Sequence, residues 1–150
     1  MSSVEVRLAV PEDVPALGRL FDLYRQFYEQ APDAELAERF IGERMRRRES
    51  IVLAAQQADG AIVGFCQLYP TFCSVEAAPI LVLYDLFVAP AARGTGAGKA
   101  LLLAARLHAV AAGVARLDLS TARTNRAAQT LYESLGWERD DVFYAYHLTP

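Results

Sequence analysis

The sequence predicts a mixed α/β (α+β) domain over residues 1–150, with element order β-α-α-β-β-β-α-β-α-β. Two observations predict this fold class. Apolar residues follow the two-residue period of strands in some segments and the helical period of about 3.6 residues in others. In addition, an almost wholly apolar segment, Ile80 to Val88, precedes a glycine-rich turn and an Ala/Leu-rich segment. That succession is typical of a buried strand, a tight connection and a helix.

The N-terminal part of the chain predicts one strand and two helices. Val4 to Val10 alternates apolar and polar residues, as a half-buried strand does. Pro11-Glu12-Asp13 then begins a helix, with acidic residues where the helix dipole favours them. Its apolar stripe comprises Leu17, Leu20, Phe21, Tyr24, Phe27 and Tyr28. Ala31-Pro32-Asp33 ends this helix, and a second helix is expected from about Ala34 to Glu49.

The centre of the chain predicts a hairpin and a buried strand. Ile51 to Gln56 and Ala61 to Tyr69 are strand-like and are joined at Asp59-Gly60, a strong hairpin signal. Pro70 to Pro79 is expected to be a loop. Ile80 to Val88 should be a central strand that is buried on both faces.

The C-terminal part of the chain predicts two more helices and two more strands. The first helix follows the glycine turn and ends near Ala112, where Gly113 closes it. The remaining elements are a strand at Val114–Ser120, a helix at Asn125–Leu135 and a final strand at Val142–Leu148.

Composition limits the classes of protein and ligand to consider. The net charge of −3 gives no general attraction for nucleic acid. Cys66 and Cys73 lack a zinc spacing, and His108 and His147 are too scattered for a metal site. The N-terminus lacks a signal-peptide pattern, and no central apolar run is long enough to span a bilayer. We therefore expect a soluble cytoplasmic protein with no metal, no nucleic-acid partner and no membrane span.

The glycine-rich turn predicts an anion site. It comprises Arg93, Gly94, Thr95, Gly96, Ala97, Gly98 and Lys99. Glycines let a ligand approach the backbone, and N–H groups at a helix N-terminus bind anions. The turn suits a pyrophosphate, and a flexible connection without a ligand is the plainer alternative. It is not a Walker motif, because Ala100 replaces the hydroxyl residue, and its glycines lack the GxGxxG spacing.

Two motifs together carry a family resemblance. Leu86 to Pro90, followed by the glycine turn, resembles the acetyl-CoA signature R/Q-x-x-G-x-G/A of the GNAT superfamily. Asn125 to Trp137 resembles the second GNAT motif, N-x-x-A-x-x-L-Y-x-x-x-G-F, with Trp137 in place of the commoner Phe. The resemblance is close from Ile80 to Trp137 and implies a GNAT domain that transfers the acetyl group of acetyl-CoA to an amine.

The resemblance also implies where the co-substrate binds. The pantetheine arm is expected to hydrogen-bond the backbone of Leu86, Phe87 and Val88 as an extra strand would. The pyrophosphate is expected on the N–H groups of Gly94 to Lys99, and Asn125 is expected to contact the cofactor. Arg123 and Arg126 are either contacts for the adenosine 3′-phosphate or solvated side chains.

Tyr132 is the residue expected to act as general acid. The resemblance puts it near the thioester sulfur. A tyrosine hydroxyl with a pKa of ~10 can donate to a thiolate whose conjugate acid has a pKa of ~8.5. The alternative is a tyrosine that only packs its ring against the sheet.

Asp85 is the best candidate for the group that accepts a proton from the substrate amine. It interrupts an apolar strand, and a buried carboxylate is costly unless it is paired. Its role is either catalytic or structural. Polyamine acetyltransferases, which resemble this stretch, carry an acid at the matching position, which favours a small cationic amine. Tyr24 and Tyr28 either line the amine pocket or belong to the core.

Two other functions stay open. Acetylation of protein lysines or N-termini would need an open groove for a peptide. A non-catalytic CoA-binding module would use the same fold without turnover. By analogy with many members of the family, we also expect a homodimer.

Overall fold

The computed structural model describes residues 3–150. Met1 and Ser2, part of the segment that argues against a signal peptide, lie outside the described residues. The chain divides into two compact units, Met1–Leu119 and Ser120–Pro150. A single domain over residues 1–150 therefore stays a prediction.

The first unit contains a five-stranded mixed sheet. Its strands are β1 (Val4–Leu8), β2 (Ile51–Gln57), β3 (Ile62–Cys73), β4 (Ala78–Val88) and β5 (Leu117–Asp118). They lie in the order β1-β2-β3-β4-β5, and every pair is antiparallel except β4 and β5. The helices are α1 (Val14–Phe27), α2 (Ala34–Arg46) and α3 (Ala97–Ala112), with short 3-10 helices at Pro11–Asp13 and Pro90–Ala92. The predicted fold class is confirmed.

Helices cover both faces of this sheet. The core on the α1 and α2 side comprises Leu17, Leu20, Phe21, Ala37, Ile41, Val52, Ala54, Phe65 and Phe87. Successive strand residues point to opposite faces, so Gly64 faces away from Phe65. A Cβ on Gly64 would lie 3.3 Å from Leu101 Cδ1, a side chain of α3, and 3.0 Å from the Phe87 carbonyl oxygen. Gly64 therefore allows α3 to pack closely on the second face.

The prediction of a loop over Pro70–Pro79 is wrong. β3 continues to Cys73 and β4 already begins at Ala78, so the two strands form one long hairpin. Pro70 pairs with Leu81 inside it. A proline is tolerated there because the β2–β3 pairing ends at Leu68, which leaves the rest of β3 as an edge.

β4 is irregular at its centre. Its pairing with β3 changes from Leu68↔Leu83 to Gln67↔Asp85, which leaves Tyr84 as the extra residue of a β-bulge. On its other side β4 pairs with β5 only at Leu81 and Val82. The strand expected at Val114–Ser120 is thus much shorter than predicted. Among residues 3–150, no strand pairs with the β5-side edge of β4 beyond Val82. β4 lies between two strands, as the prediction of a central strand requires, but Tyr84 is 67% exposed. The expectation of burial on both faces is therefore wrong at the bulge.

The second unit is built around α4 (Arg126–Ser134). The Asn125 side chain caps this helix by accepting a hydrogen bond from the Ala128 N–H at 3.2 Å. The final strand expected at Val142–Leu148 is wrong: residues 138–150 contain no strand, and Tyr144 and Tyr146 are 82% and 93% exposed. An alternating sequence forms a stable strand only beside a pairing partner, and no strand of residues 3–150 pairs with this segment.

Candidate active site

The glycine turn forms an open cradle of backbone N–H groups. Gly94 and Gly96 have φ of +80° and +86°, in the left-handed region that favours glycine. Gly96 is the N-cap of α3 and provides no side chain, and the first helical bond runs from the Ala100 N–H to its carbonyl. The N–H groups of Ala97, Gly98 and Lys99 therefore have no partner within the helix.

Space over the turn is also available for a ligand. A Cβ added at Gly94 or Gly96 would meet no atom within 4 Å. Free N–H groups at a helix N-terminus and an unobstructed approach are the features that bind phosphate groups. The turn therefore fits the diphosphate of a nucleotide cofactor, as the sequence predicts.

Arg93 connects this turn to the end of β4. Its Nε donates a hydrogen bond to the Val88 carbonyl oxygen at 3.1 Å, and its guanidinium lies 5.5 Å from the centroid of the Phe87 ring. Thr95 Oγ1 donates to the Ala92 carbonyl oxygen at 2.6 Å. Arg93 and Thr95 thus hold the turn in shape, while Lys99 is exposed and adds positive charge.

Leu86, Phe87 and Val88 come shortly before this cradle in the sequence, at the end of β4. These residues belong to the part of β4 that β5 does not pair. An unpaired strand edge can bind an extended ligand through backbone hydrogen bonds. The segment therefore has the property that its predicted role requires.

Asp85 is buried and hydrogen-bonded, but it has no countercharge. Its side chain is 5% exposed, and Gln67 Nε2 donates to its Oδ2 at 2.7 Å. Within residues 3–150 it forms no ion pair. Burial raises the pKa of Asp85, and the hydrogen bond from Gln67 offsets part of that increase.

Tyr24 and Tyr69 lie within the electrostatic influence of this carboxylate, and each contacts a second tyrosine ring. The Tyr24 hydroxyl donates to the Tyr84 carbonyl oxygen at 3.2 Å, and its ring centroid lies 5.2 Å from that of Tyr28. The rings of Tyr69 and Tyr84 are 5.6 Å apart. Burial, and then the charge of Asp85, raise the pKa of Tyr24 and raise that of Tyr69 to about 12. Aromatic rings beside a carboxylate attract cations.

Tyr24 and Tyr28 differ in their surroundings. Tyr24 is half-buried, and its ring centroid lies 6.1 Å from those of both Phe65 and Phe87. It therefore packs against the core and also reaches the site. Tyr28 is 49% exposed, so the core alternative does not describe it. Their contact with substrate stays a prediction.

Sequence reasoning missed Gln67, Tyr69 and Tyr84. Gln67 is a polar residue inside an apolar strand, which is the same signal that identifies Asp85. Correct hairpin register would have paired the two residues. Tyr69 and Tyr84 give no comparable signal, because a tyrosine in a strand is common.

The second unit holds Asn125 and Tyr132. Asn125 has a structural role as the cap of α4, and its contact with the cofactor stays a prediction. Tyr132 is half-buried and its ring centroid lies 6.2 Å from that of Trp137. The Tyr132 carbonyl oxygen accepts hydrogen bonds from the N–H groups of Leu135 and Trp137, which close the helix. Its role as general acid also stays a prediction.

Within residues 3–150, no three His, Cys, Asp or Glu side chains come together in a group that could hold a metal ion. None of the helices in that range combines the length and the apolar character needed to cross a membrane.

Comparisons with known proteins agree with this geometry. The chain matches the family described as Acetyltransferase (GNAT) over residues 17–137. An uncharacterized N-acetyltransferase of Bacillus subtilis (strain 168), YhfO, is 45% identical over 145 residues, which are 97% of each protein. The aminoglycoside N(6′)-acetyltransferase type 1 of Salmonella typhimurium is 27% identical over 130 residues, which are 81% of this chain and 86% of that protein.

A solved structure extends the similarity to three dimensions. The crystal structure of a probable acetyltransferase has a TM-score of 0.91 and 34% sequence identity, and 97% of each chain is covered. The family match covers most of the sequence and includes both the glycine turn and the α4 motif. This chain therefore belongs to the GNAT family of acetyltransferases, enzymes that take acetyl-CoA as co-substrate.

Proposed function

We propose that this enzyme transfers the acetyl group of acetyl-CoA to a small cationic primary amine. The observation that carries the proposal is Asp85, a carboxylate that is 5% exposed and forms no ion pair within residues 3–150. A buried charge without a countercharge is costly. A substrate ammonium would provide that countercharge, and surrounding tyrosine rings would add cation–π attraction.

The relatives support the same substrate class. The Salmonella relative is an aminoglycoside acetyltransferase, and aminoglycosides carry several protonated amines. The likeness of the Asp85 segment to polyamine acetyltransferases points in the same direction. Aminoglycosides and polyamines are both small polycationic amines, and a buried carboxylate would favour them over neutral acceptors.

The first unit would hold most of the co-substrate. The backbone edge of Leu86, Phe87 and Val88 would bind the pantetheine arm, and the N–H groups from Gly94 to Lys99 would bind the diphosphate. In the second unit, Asn125 would contribute a further contact. Acetyl-CoA supplies, when bound, a thioester carbonyl that a neutral amine can attack.

Asp85 would make the amine nucleophilic. An alkylammonium with a pKa of ~10.4 resists deprotonation at neutral pH by about 4 kcal/mol. The Asp85 carboxylate would take one proton from the ammonium and become a carboxylic acid. Its pKa lies above the ordinary value because of burial, and this makes it a stronger base than an exposed aspartate.

Tyr132 would complete the proton balance. As the carbon–sulfur bond breaks, the Tyr132 hydroxyl would donate its proton to the leaving sulfur, so that CoA departs as a neutral thiol. As the amide forms, the nitrogen would lose its second proton to solvent. Tyr132 would recover a proton from solvent, and Asp85 would release to solvent the proton that it took, so that one proton is released overall. Direct attack of the amine in a ternary complex needs no acyl-enzyme intermediate.

The test is a thiol-release assay with acetyl-CoA and a panel of acceptors. The panel contains polyamines, aminoglycosides, amino acids and histone-like peptides, with an uncharged aromatic amine as a control. We expect the largest kcat/KM for the small polycationic amines. A preference for peptides would identify a protein acetyltransferase instead. Binding of acetyl-CoA without turnover of any acceptor would identify a CoA-binding module.

The quaternary structure and the cellular location stay predictions. Light scattering on the purified chain will test the expected homodimer. Fractionation of cells will test the expected cytoplasmic location.

A further inference from the structure

Three polar side chains form a hydrogen-bonded chain across neighbouring strands of the sheet in the first unit. Ser50, just before β2, donates its hydroxyl to Gln67 Oε1 at 2.7 Å. Gln67 Nε2 donates to Asp85 Oδ2, also at 2.7 Å. Gln67 is completely buried, and it is the residue of β3 that pairs with Asp85. Ser50 is half-buried, so the chain connects the buried carboxylate to a residue near the surface.

The chemistry of the three groups fixes the direction of the hydrogen bonds. An ionised carboxylate only accepts, so it requires the NH2 end of the Gln67 amide. The Ser50 hydroxyl can donate to the other end, Oε1, and this holds the amide in the required orientation. With the amide reversed, its oxygen would face a carboxylate oxygen. The ionised carboxylate therefore selects the amide orientation, and the Ser50 hydroxyl, which can donate as well as accept, stabilises the amide in it.

Other groups around Asp85 do not supply positive charge. The titratable side chains that the charge of Asp85 influences are Tyr24 from α1 and Cys66 and Tyr69 from β3, and Tyr84 is its neighbour in β4. Each is neutral when protonated and negative when deprotonated. The charged form of Asp85 therefore depends on hydrogen bonding, and the Gln67 bond is the largest of the effects that lower its pKa.

We propose that Gln67 is a positioning residue for acetyl transfer: its amide, held in place by a hydrogen bond from Ser50, keeps the buried Asp85 carboxylate ionised and held in one position. This inference rests on the proposed function, because it needs Asp85 to act on the substrate amine. Gln67 and Ser50 touch neither the amine nor the co-substrate in this scheme. They act through Asp85.

The test uses Gln67→Met, which keeps the length of the side chain but removes the amide, and Ser50→Ala, which removes the hydroxyl. Ser50→Thr keeps the hydroxyl and is the matched control. We expect the acid limb of the kcat/KM–pH profile to move to higher pH in Gln67→Met, and less in Ser50→Ala. Because hydrogen bonds to charged groups are stronger than those between neutral groups, kcat/KM of Gln67→Met should fall by about tenfold or more at pH values below the limb.

Activity of both variants should recover at high pH, where Asp85 is ionised again, and Ser50→Thr should match the unmodified enzyme. A merely structural role would lower activity at every pH. An acid limb that stays in place in Gln67→Met and Ser50→Ala would overturn the inference. If Gln67→Met does not fold, as judged by circular dichroism, the half-buried Ser50→Ala variant carries the test.

A second measurement does not depend on turnover. Titration of the Asp85 carboxyl by carbon-13 NMR, in protein labelled at aspartate, should show a higher pKa in Ser50→Ala than in Ser50→Thr. If no amine is acetylated, the proposed function fails, and this titration still decides the role of Ser50 and Gln67. An unchanged Asp85 pKa would overturn the inference.

Discussion

Gln67 and Asp85 face each other across the β3–β4 pairing, with Gln67 Nε2 2.7 Å from Asp85 Oδ2. This pair lies next to the bulge at Tyr84. The bulge decides which face Asp85 occupies. Leu83 pairs with Leu68, whereas Asp85 pairs with Gln67, and neighbouring strand residues point to opposite faces. Leu83 and Asp85 would share a face in a regular strand. The extra residue brings Asp85 to the α1 and α2 side, beside Tyr24.

Asp85→Asn should remove activity and make the protein more stable at neutral pH. Burial raises the pKa of Asp85 in the folded state. Its contribution to stability is therefore full below the ordinary carboxyl pKa and is lost as pH rises through the raised pKa. The Asn variant avoids that loss, and its advantage should grow from pH 4 to pH 8. Each kcal/mol corresponds to about 2–4 °C in Tm for a chain of this size.

Thermal melts across this pH range and kinetics with the best acceptor check both expectations. We expect kcat/KM to fall by at least about 100-fold. Asp141→Asn, at a carboxylate that is 75% exposed, is the control and should change neither quantity. An Asp85→Asn enzyme that keeps its turnover and pH profile would assign Asp85 to structure alone.

Tyr132→Phe should lower kcat by about 10²-fold or more, because a positioned general acid contributes about 10²–10⁴-fold. The ring and its packing beside Trp137 are retained, so the affinity for acetyl-CoA should not change. Steady-state kinetics and calorimetric titration with acetyl-CoA separate these two effects. Tyr144→Phe, an exposed tyrosine in the same unit, serves as the control. Full turnover in Tyr132→Phe would exclude it as the acid.

Local patterns predicted the glycine cradle well. A turn that needs positive φ at Gly94 and Gly96 has glycines there, and a helix that leaves its N–H groups free follows directly. All of this depends on residues adjacent in sequence. Asp85 was also identified locally, as the one charge in an apolar strand.

Features that depend on distant residues could not be predicted. The bulge at Tyr84 arises from the register with β3, and alternation counted along β4 from Leu83 would put Asp85 on the wrong face. The extended hairpin includes Pro70 because β2 pairing ends at Leu68, which the sequence does not reveal. The Val142–Leu148 segment has a strand pattern but no partner strand within residues 3–150, since propensity does not supply pairing.

Gly96→Val should abolish acetyl-CoA binding, because a side chain at this position would stand where the diphosphate approaches the backbone. Valine at a positive φ also costs about 1–2 kcal/mol of stability. Gly113→Val separates the two effects, since Gly113 ends the same helix with φ +71° and also has open space around it. Both variants should lose similar stability in thermal melts. Only Gly96→Val should lose binding in calorimetry, and equal binding in both would refute the cradle.

Tyr84→Leu should weaken binding of a cationic acceptor, because it removes an aromatic ring next to Asp85. Tyr84 is 67% exposed, and a cation–π contact at an exposed site is worth about 0.5–1 kcal/mol. We therefore expect the KM for a diamine to rise by about two- to fivefold, with the KM for acetyl-CoA unchanged. Tyr84→Phe keeps the ring and the backbone carbonyl that accepts from Tyr24, and it should behave like the unmodified enzyme. If Leu and Phe give the same KM, the ring does not contact the amine, and the charge of Asp85 alone would have to select the substrate.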